Sequence, residues 1–166
     1  MKNPTISDAA LREAAASMDS FVAAVVGAIS EAAGGELTAE ALGQLKPDQS
    51  TLWGYWLMRE ELMDGGFVQL IHNGLGPFIF LNPFAKALRL WGLHDLSKLV
   101  YKGRKLYEAK RQMIERELTD EEFMALYEQL PEFDDLDDAF LVDEEAYTEQ
   151  VARYVDEHLT DFVEIV

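Results

Sequence analysis

Apolar side chains recur three and four residues apart along most of this chain, and each run stops at a glycine or a proline. That period keeps one face of a helix apolar, and the breakers limit how far each helix can run. Leu11, Ala14, Met18, Val22, Val25, Ile29 and Ala32 form one such stripe. It predicts a helix from a Ser7 or Asp8 cap to about Ala33, ended by Gly34-Gly35. Thr38 caps a short helix, AEALGQL. Pro47 opens the next, with Leu52, Trp56, Arg59 and Met63 on one face and an end at Asp64-Gly65-Gly66.

The second half reads the same way. FVQLIHN forms a turn or two before Asn73-Gly74, and the proline-bounded GPFIFLNP reads as a buried crossing loop. A helix follows Asn82-Pro83 to Leu93, and a long one starts at His94-Asp95. Thr119 and Glu122 have the spacing of a capping box, in which each side chain bonds the other residue's backbone N–H. Beyond Pro131, a short helix over DDLDDAFL and a last helix from about Asp143 are expected. The fold class is therefore all-α, a single compact domain over residues 1–166 with about eight helices.

Charge is unevenly distributed along this frame. The chain has 31 acidic and 14 basic residues and a net charge of −17. Residues 61–116 contain nine bases and five acids, whereas residues 117–166 contain one base and 18 acids. Because 49% of the residues are hydrophobic, this acidity does not imply disorder. No cysteine is present, which excludes disulfides and thiol chemistry and accords with the cytoplasm. The longest apolar run, FVAAVVGAI, is too short to span a bilayer, so no membrane association is expected.

Motifs for small-molecule chemistry are absent. There is no P-loop, dinucleotide fingerprint, G-x-S-x-G or H-E-x-x-H, and His72, His94 and His158 have no metal-ligand spacing. Read as an EF-hand from Asp135, the acidic run has Phe140 at the position that needs glycine and Ala146 at the position that needs glutamate. No metal or cofactor is expected. Glu60, Glu61, Gln69, His72 and Asn73 offer the one candidate polar pocket, at the Gly65-Gly66 corner. It would serve a small-ligand protein or an enzyme, but such side chains more often satisfy backbone groups freed at helix breaks.

The acidic third offers an interaction surface. Carboxylates four apart on a helix lie about 6 Å apart along its axis, and duplex DNA carries one charge per about 1.7 Å. Glu132, Asp134, Asp135, Asp137, Asp138, Asp143, Glu144, Glu145, Glu149, Asp156, Glu157 and Asp161 are the candidate partner-binding residues. The partner they imply is a basic protein, whether a DNA-binding regulator or a toxin to be neutralised. The net charge opposes direct nucleic-acid binding. The basic stretch 98–116 is expected to pair with the acidic helices inside the molecule, and a homodimer is compatible with this reading.

The segment E60-E-L-M-D-G-G-F-V-Q69, followed by H72-N-G74, resembles the core motif of a small bacterial DNA-mimic protein family. ALRLWGL, LYEAKRQM, FDDLDDAF and YVDEHLTDF extend the resemblance over about residues 45–162, in the same order. It implies an all-helical, non-enzymatic protein whose carboxylates imitate DNA on a transcription regulator. Asp64, Gly65, Gly66, Phe67 and Gln69 fall on the motif as structural residues, and Asp137-Asp138 on its Leu-Asp-Asp pair. Val68 and Leu70-Ile71 depart from it, where polar and aromatic residues are expected.

Overall fold

The computed structural model describes residues 2–166, which form an all-α protein. Among them are eleven α-helices, eight of seven residues or more, and one short pair of strands. They group into two compact units, one of the residues up to Trp56 with Ala146–Val166 and the other of Leu57–Glu145. No helix among the described residues is long and apolar enough to cross a membrane.

In the first unit, β1 (Thr5–Ile6) pairs in parallel with β2 (Glu164–Ile165). Two-residue strands have no readable period, and nothing in the sequence predicts them. The expected first helix is two: α1 (Asp8–Ala14) and α2 (Met18–Ala32). Ser17 causes the break, because its backbone is extended (φ −144°) and its Oγ accepts from the Ser20 N–H at 3.0 Å. A serine at that point gains more as an N-cap than as a helix interior. Val22, Val25, Val26 and Ile29 bury the inner face of α2, and Thr38 caps α3 (Ala39–Gln44) as expected. Buried Gln49 donates to the Phe162 carbonyl at 2.9 Å and accepts from the Lys46 N–H at 2.9 Å.

Helices α4 (Pro47–Asp64) and α10 (Asp134–Glu157) contribute residues to both units. The buried side of α4 is Leu52, Tyr55, Met58 and Leu62, while Met63 is exposed. This face is rotated from the expected Leu52–Trp56–Arg59–Met63 stripe, which contained a charged residue. Helix α10 is also unbroken where two helices were expected. It follows a 3-10 turn at Pro131–Phe133 and contains neither glycine nor proline. Its acidic start, Asp134, Asp135 and Asp137, suits the positive end of a helix rather than interrupting one. The chain then turns through α11 (Leu159–Phe162) to β2.

The second unit assembles on α8 (His94–Ile114). Helices α5 (Gly66–His72), α6 (Gly76–Phe80) and α7 (Phe84–Leu90) and the 3-10 turn pack against it. Helix α9 (Asp120–Gln129) starts with the expected capping box. The proposed crossing loop GPFIFLNP is in fact α6 and the turn after it. Pro77 sits in the first helical turn, where its missing N–H has no bond to lose.

An aromatic cluster fills the centre of this unit. Phe67 lies 6.0 Å from Phe80 and 6.5 Å from Phe133 between ring centroids, and Phe80 stacks on Tyr107 at 5.0 Å. The Tyr107 hydroxyl donates to Glu115 Oε2 at 2.8 Å, and its pKa is pushed up to about 12, first by burial and then by that carboxylate. Small residues make room for the rings: a Cβ at Gly103 would stand 2.9 Å from Phe80, and one at Gly76 would overlap the Tyr107 ring. Gly76→Ala is expected to cost about 1–3 kcal/mol through overpacking. A urea-unfolding midpoint unchanged from the native chain would show that the ring can move aside.

Candidate functional site

The Gly65-Gly66 corner is a hydrogen-bonded joint. Gly66 has a φ of +75°, which glycine adopts without steric cost, and a Cβ there would overlap the Asp137 carboxylate. The neighbouring Phe67 N–H donates to Asp137 Oδ1 at 2.8 Å, so a side chain of α10 caps the start of α5. The Tyr127 hydroxyl of α9 donates to the Gly65 carbonyl at 2.8 Å. The two quoted motifs, D-G-G-F and L-D-D, thus meet in space although about 70 residues apart in sequence.

The candidate pocket residues bond to one another or to backbone. Gln69 Nε2 donates to Glu61 Oε2 at 3.0 Å and to Asp64 Oδ2 at 2.9 Å, and Asn73 Nδ2 donates to Glu61 Oε2 at 3.0 Å. His72 Nδ1 lies 2.9 Å from the Ile114 carbonyl, and its ring packs 5.0 Å from Phe123. Glu60 is exposed on α4, apart from this network. The arrangement joins α4, α5, α8 and α9, and it gives Gln69 Nε2 and His72 Nδ1 partners within the protein.

Sixteen of the eighteen carboxylates in residues 117–166 are exposed, and the two that are not were both among the candidate partner-binding residues. Asp137 is half-buried at the corner. Glu144 is buried and ion-paired with Arg59 of α4. Neither is available to an incoming surface. In the second unit, Glu132, Asp134, Asp135, Asp138, Asp143 and Glu145 are exposed. In the first, so are Glu149, Asp156, Glu157 and Asp161.

Within the second unit, Glu132 approaches Lys110 at 3.9 Å, but Asp134, Asp135, Asp138, Asp143 and Glu145 have no cation within 4.0 Å among the described residues. Asp134, Asp138, Val142 and Glu145 follow at four- and three-residue steps, one stripe of α10. Val142 is 81% exposed and Leu141 48%, so the carboxylates flank an apolar centre. Sequence reading missed that centre, because an isolated Leu-Val in a helix looks like core.

The expected pairing of the basic stretch with the acidic helices is met in part, by Lys110 with Glu132 and by Arg116 with Glu122 of α9. Arg104 and Arg111 pair within α8, with Glu108 at 2.9 Å and Glu115 at 2.6 Å, and Arg116 approaches Glu122 at 3.8 Å. Only Lys110, among these cations, reaches toward α10, through Glu132 in the preceding turn. Side chains on α8 reach their own next turn more easily than a separate helix, and exposed pairs gain only about 0–1 kcal/mol either way.

Two comparisons of the sequence relate this chain to known proteins. Residues 43–158 match a family model described as DMP19-like protein, a span that includes α4 through α10 with both the corner and the acidic stripe. The chain is also 34% identical over 128 residues to the DNA mimic protein DMP19 of Neisseria meningitidis serogroup B. That alignment covers 76% of this chain and 77% of the other.

Asp137 gives the corner a distinctive pH dependence. Burial raises its pKa to about 6, against the lowering effect of the Phe67 N–H, with Asp134 and Asp138 raising it further. An acid whose pKa is higher in the folded than in the unfolded chain binds protons more tightly when folded. Its contribution to stability therefore falls as pH rises from about 4 to about 6. Asp137→Asn keeps an acceptor for Phe67 without the buried charge. Its stability relative to the native chain is expected to improve by about 1–3 kcal/mol between pH 4 and pH 7. Asp137→Ala, lacking the acceptor, is expected to lose about 1–2 kcal/mol at pH 4. Urea unfolding at the two pH values measures both, and a pH-independent difference for the Asn variant would rule out this account.

Proposed function

The chain belongs to the DMP19-like protein family, and from that membership we propose that it acts as a non-enzymatic DNA mimic. Its exposed α10 carboxylates occupy the DNA-binding surface of a basic partner, a transcription regulator. The observation that carries this reading is the set Asp134, Asp135, Asp138, Asp143 and Glu145, exposed and without a cation within 4.0 Å among the described residues, in a chain of net charge −17. Carboxylates already neutralised by neighbouring lysines would have little to offer a phosphate-binding groove. These five retain their charge for a partner.

The mechanism is competition. Lysines and arginines that ordinarily neutralise phosphates meet carboxylates held at helical spacing, and DNA is excluded from the same groove. The rigid helix presents the charges without a folding cost at the moment of binding. A non-enzymatic role accords with the bonding at the Gly65-Gly66 corner, where Gln69 and His72 serve the fold. Such a role belongs in the cytoplasm, where bacterial regulators meet DNA.

The test is recovery of a partner on the immobilised chain from nuclease-treated lysate of the source organism, followed by titration of the purified partner. Asp134→Asn/Asp135→Asn/Asp138→Asn is expected to weaken binding at least about tenfold, or ~1.4 kcal/mol, and to flatten its salt dependence. Operator DNA is expected to displace the native chain. A partner that binds the triple variant as tightly, or binds DNA and the chain together, would refute mimicry. Asp137 and Glu144 stay unchanged in this variant, and a circular dichroism melt matching the native chain's separates lost binding from a disturbed α10, whose first turn includes Asp134 and Asp135.

A further inference from the structure

The α6–α8 side of the second unit has the opposite electrostatic character. Lys86, Arg89, Lys98, Lys102 and Lys105 are exposed, and none has a carboxylate within 4.0 Å among the described residues. In a chain with 31 acidic side chains, five cations on two packed helices have been kept apart from them. Lys98, Tyr101, Lys102 and Lys105 are three and four residues apart, one stripe of α8. Lys86 and Leu90, the latter 75% exposed, are one turn apart on α7.

An apolar cleft of about 290 Å³ opens between Lys86 of α7 and Tyr101, the aromatic member of the α8 stripe that includes Lys98, Lys102 and Lys105. Phe80, Ala85 and Val100 form its buried floor, while Leu81 and Tyr101, 45% and 47% exposed, stand at its edge. Lys86 and Arg104 also line it. This volume lies at the lower limit for a small-molecule pocket and suits a single anchoring side chain with charged groups around it.

We propose that this cleft docks an acidic linear segment of a protein partner. One aromatic or aliphatic side chain of the segment sits between Leu81 and Tyr101. Carboxylates on either side of it meet Lys86, Lys98, Lys102 and Lys105. Charge complementarity selects the acidic segment, and the apolar cleft selects a peptide over other polyanions. A nucleic-acid backbone or an anionic bilayer would satisfy the lysines and leave the cleft empty. A long polyanion would also extend beyond the patch to meet the repulsion of the rest of the molecule, whereas a short segment lies within about one screening length of the lysines.

The probe is a fluorescein-labelled nine-residue peptide of Glu and Asp around a central Phe-Leu pair, titrated with the full chain by fluorescence anisotropy. Saturable binding is expected. It should weaken at least about tenfold with Lys98→Glu/Lys102→Glu/Lys105→Glu, and comparably when serines replace the Phe-Leu pair. Tyr101→Ala should weaken it about three- to tenfold, and Asp134→Asn/Asp135→Asn/Asp138→Asn should leave it intact, which separates this site from the acidic stripe. Circular dichroism melts establish that each variant is folded. The proposal is overturned by absence of saturation at millimolar chain, by indifference to the lysine reversals, or by equal affinity for the serine peptide. It is also overturned if a single-stranded oligonucleotide or phosphatidylglycerol vesicles bind the lysine stripe more tightly than the peptide does.

Discussion

The Asp137 carboxylate beneath the Phe67 N–H fixes the second unit. Helix α4 must end, the chain must reverse through a left-handed glycine, and α5 must begin with donors no helix can satisfy. A carboxylate from α10 supplies the acceptor and occupies the space a side chain at Gly66 would need. Phe67, the residue whose N–H is bound, is also at the centre of the aromatic cluster with Phe80 and Phe133. One hydrogen bond therefore sets where α10 lies against α5 and where the core ring points. The desolvation it requires is visible in the raised pKa of Asp137.

The same bond separates two kinds of acidic residue that composition cannot tell apart. Asp137 and Asp138 are neighbours of identical chemistry, but helical rotation turns the first inward to the corner and the second outward to solvent. Glu144 and Glu145 repeat the division seven residues later, with Arg59 receiving the inward member. Seven residues are two helical turns, so the inward pair and the outward pair each keep to one side of α10. A protein covered in carboxylates can thus reserve a few for its own architecture and leave the remainder unneutralised.

Much of this was legible where the signal was local. The Thr119–Glu122 capping box, the Thr38 cap, the Pro47 start and the glycine stops at Gly34-Gly35 and Gly74 follow from backbone chemistry within four residues, and they appear where the sequence put them. The errors arose where local signals competed. Ser17 has a cap's chemistry inside an apolar stripe, and the cap prevails over the stripe. The short helix over DDLDDAFL and the helix from about Asp143 are one, because no glycine or proline stands between them to stop α10. Contacts across 70 residues or more are illegible: no local pattern announces that Asp137 reaches Phe67 or that Glu144 faces Arg59.

Val142 and Leu141 bear on what it means to imitate a polyanion. DNA presents a backbone of charge with little apolar surface beside it, so its hold on a basic groove weakens as salt rises. The stripe on α10 has charge around an exposed aliphatic centre, and burial of apolar surface is not screened by ions. Under the proposed reading, the two competitors for one groove respond differently to the cell's ionic state. As salt increases, DNA loses its grip faster than the protein does, and the balance of occupancy moves toward the mimic without any change in its amount.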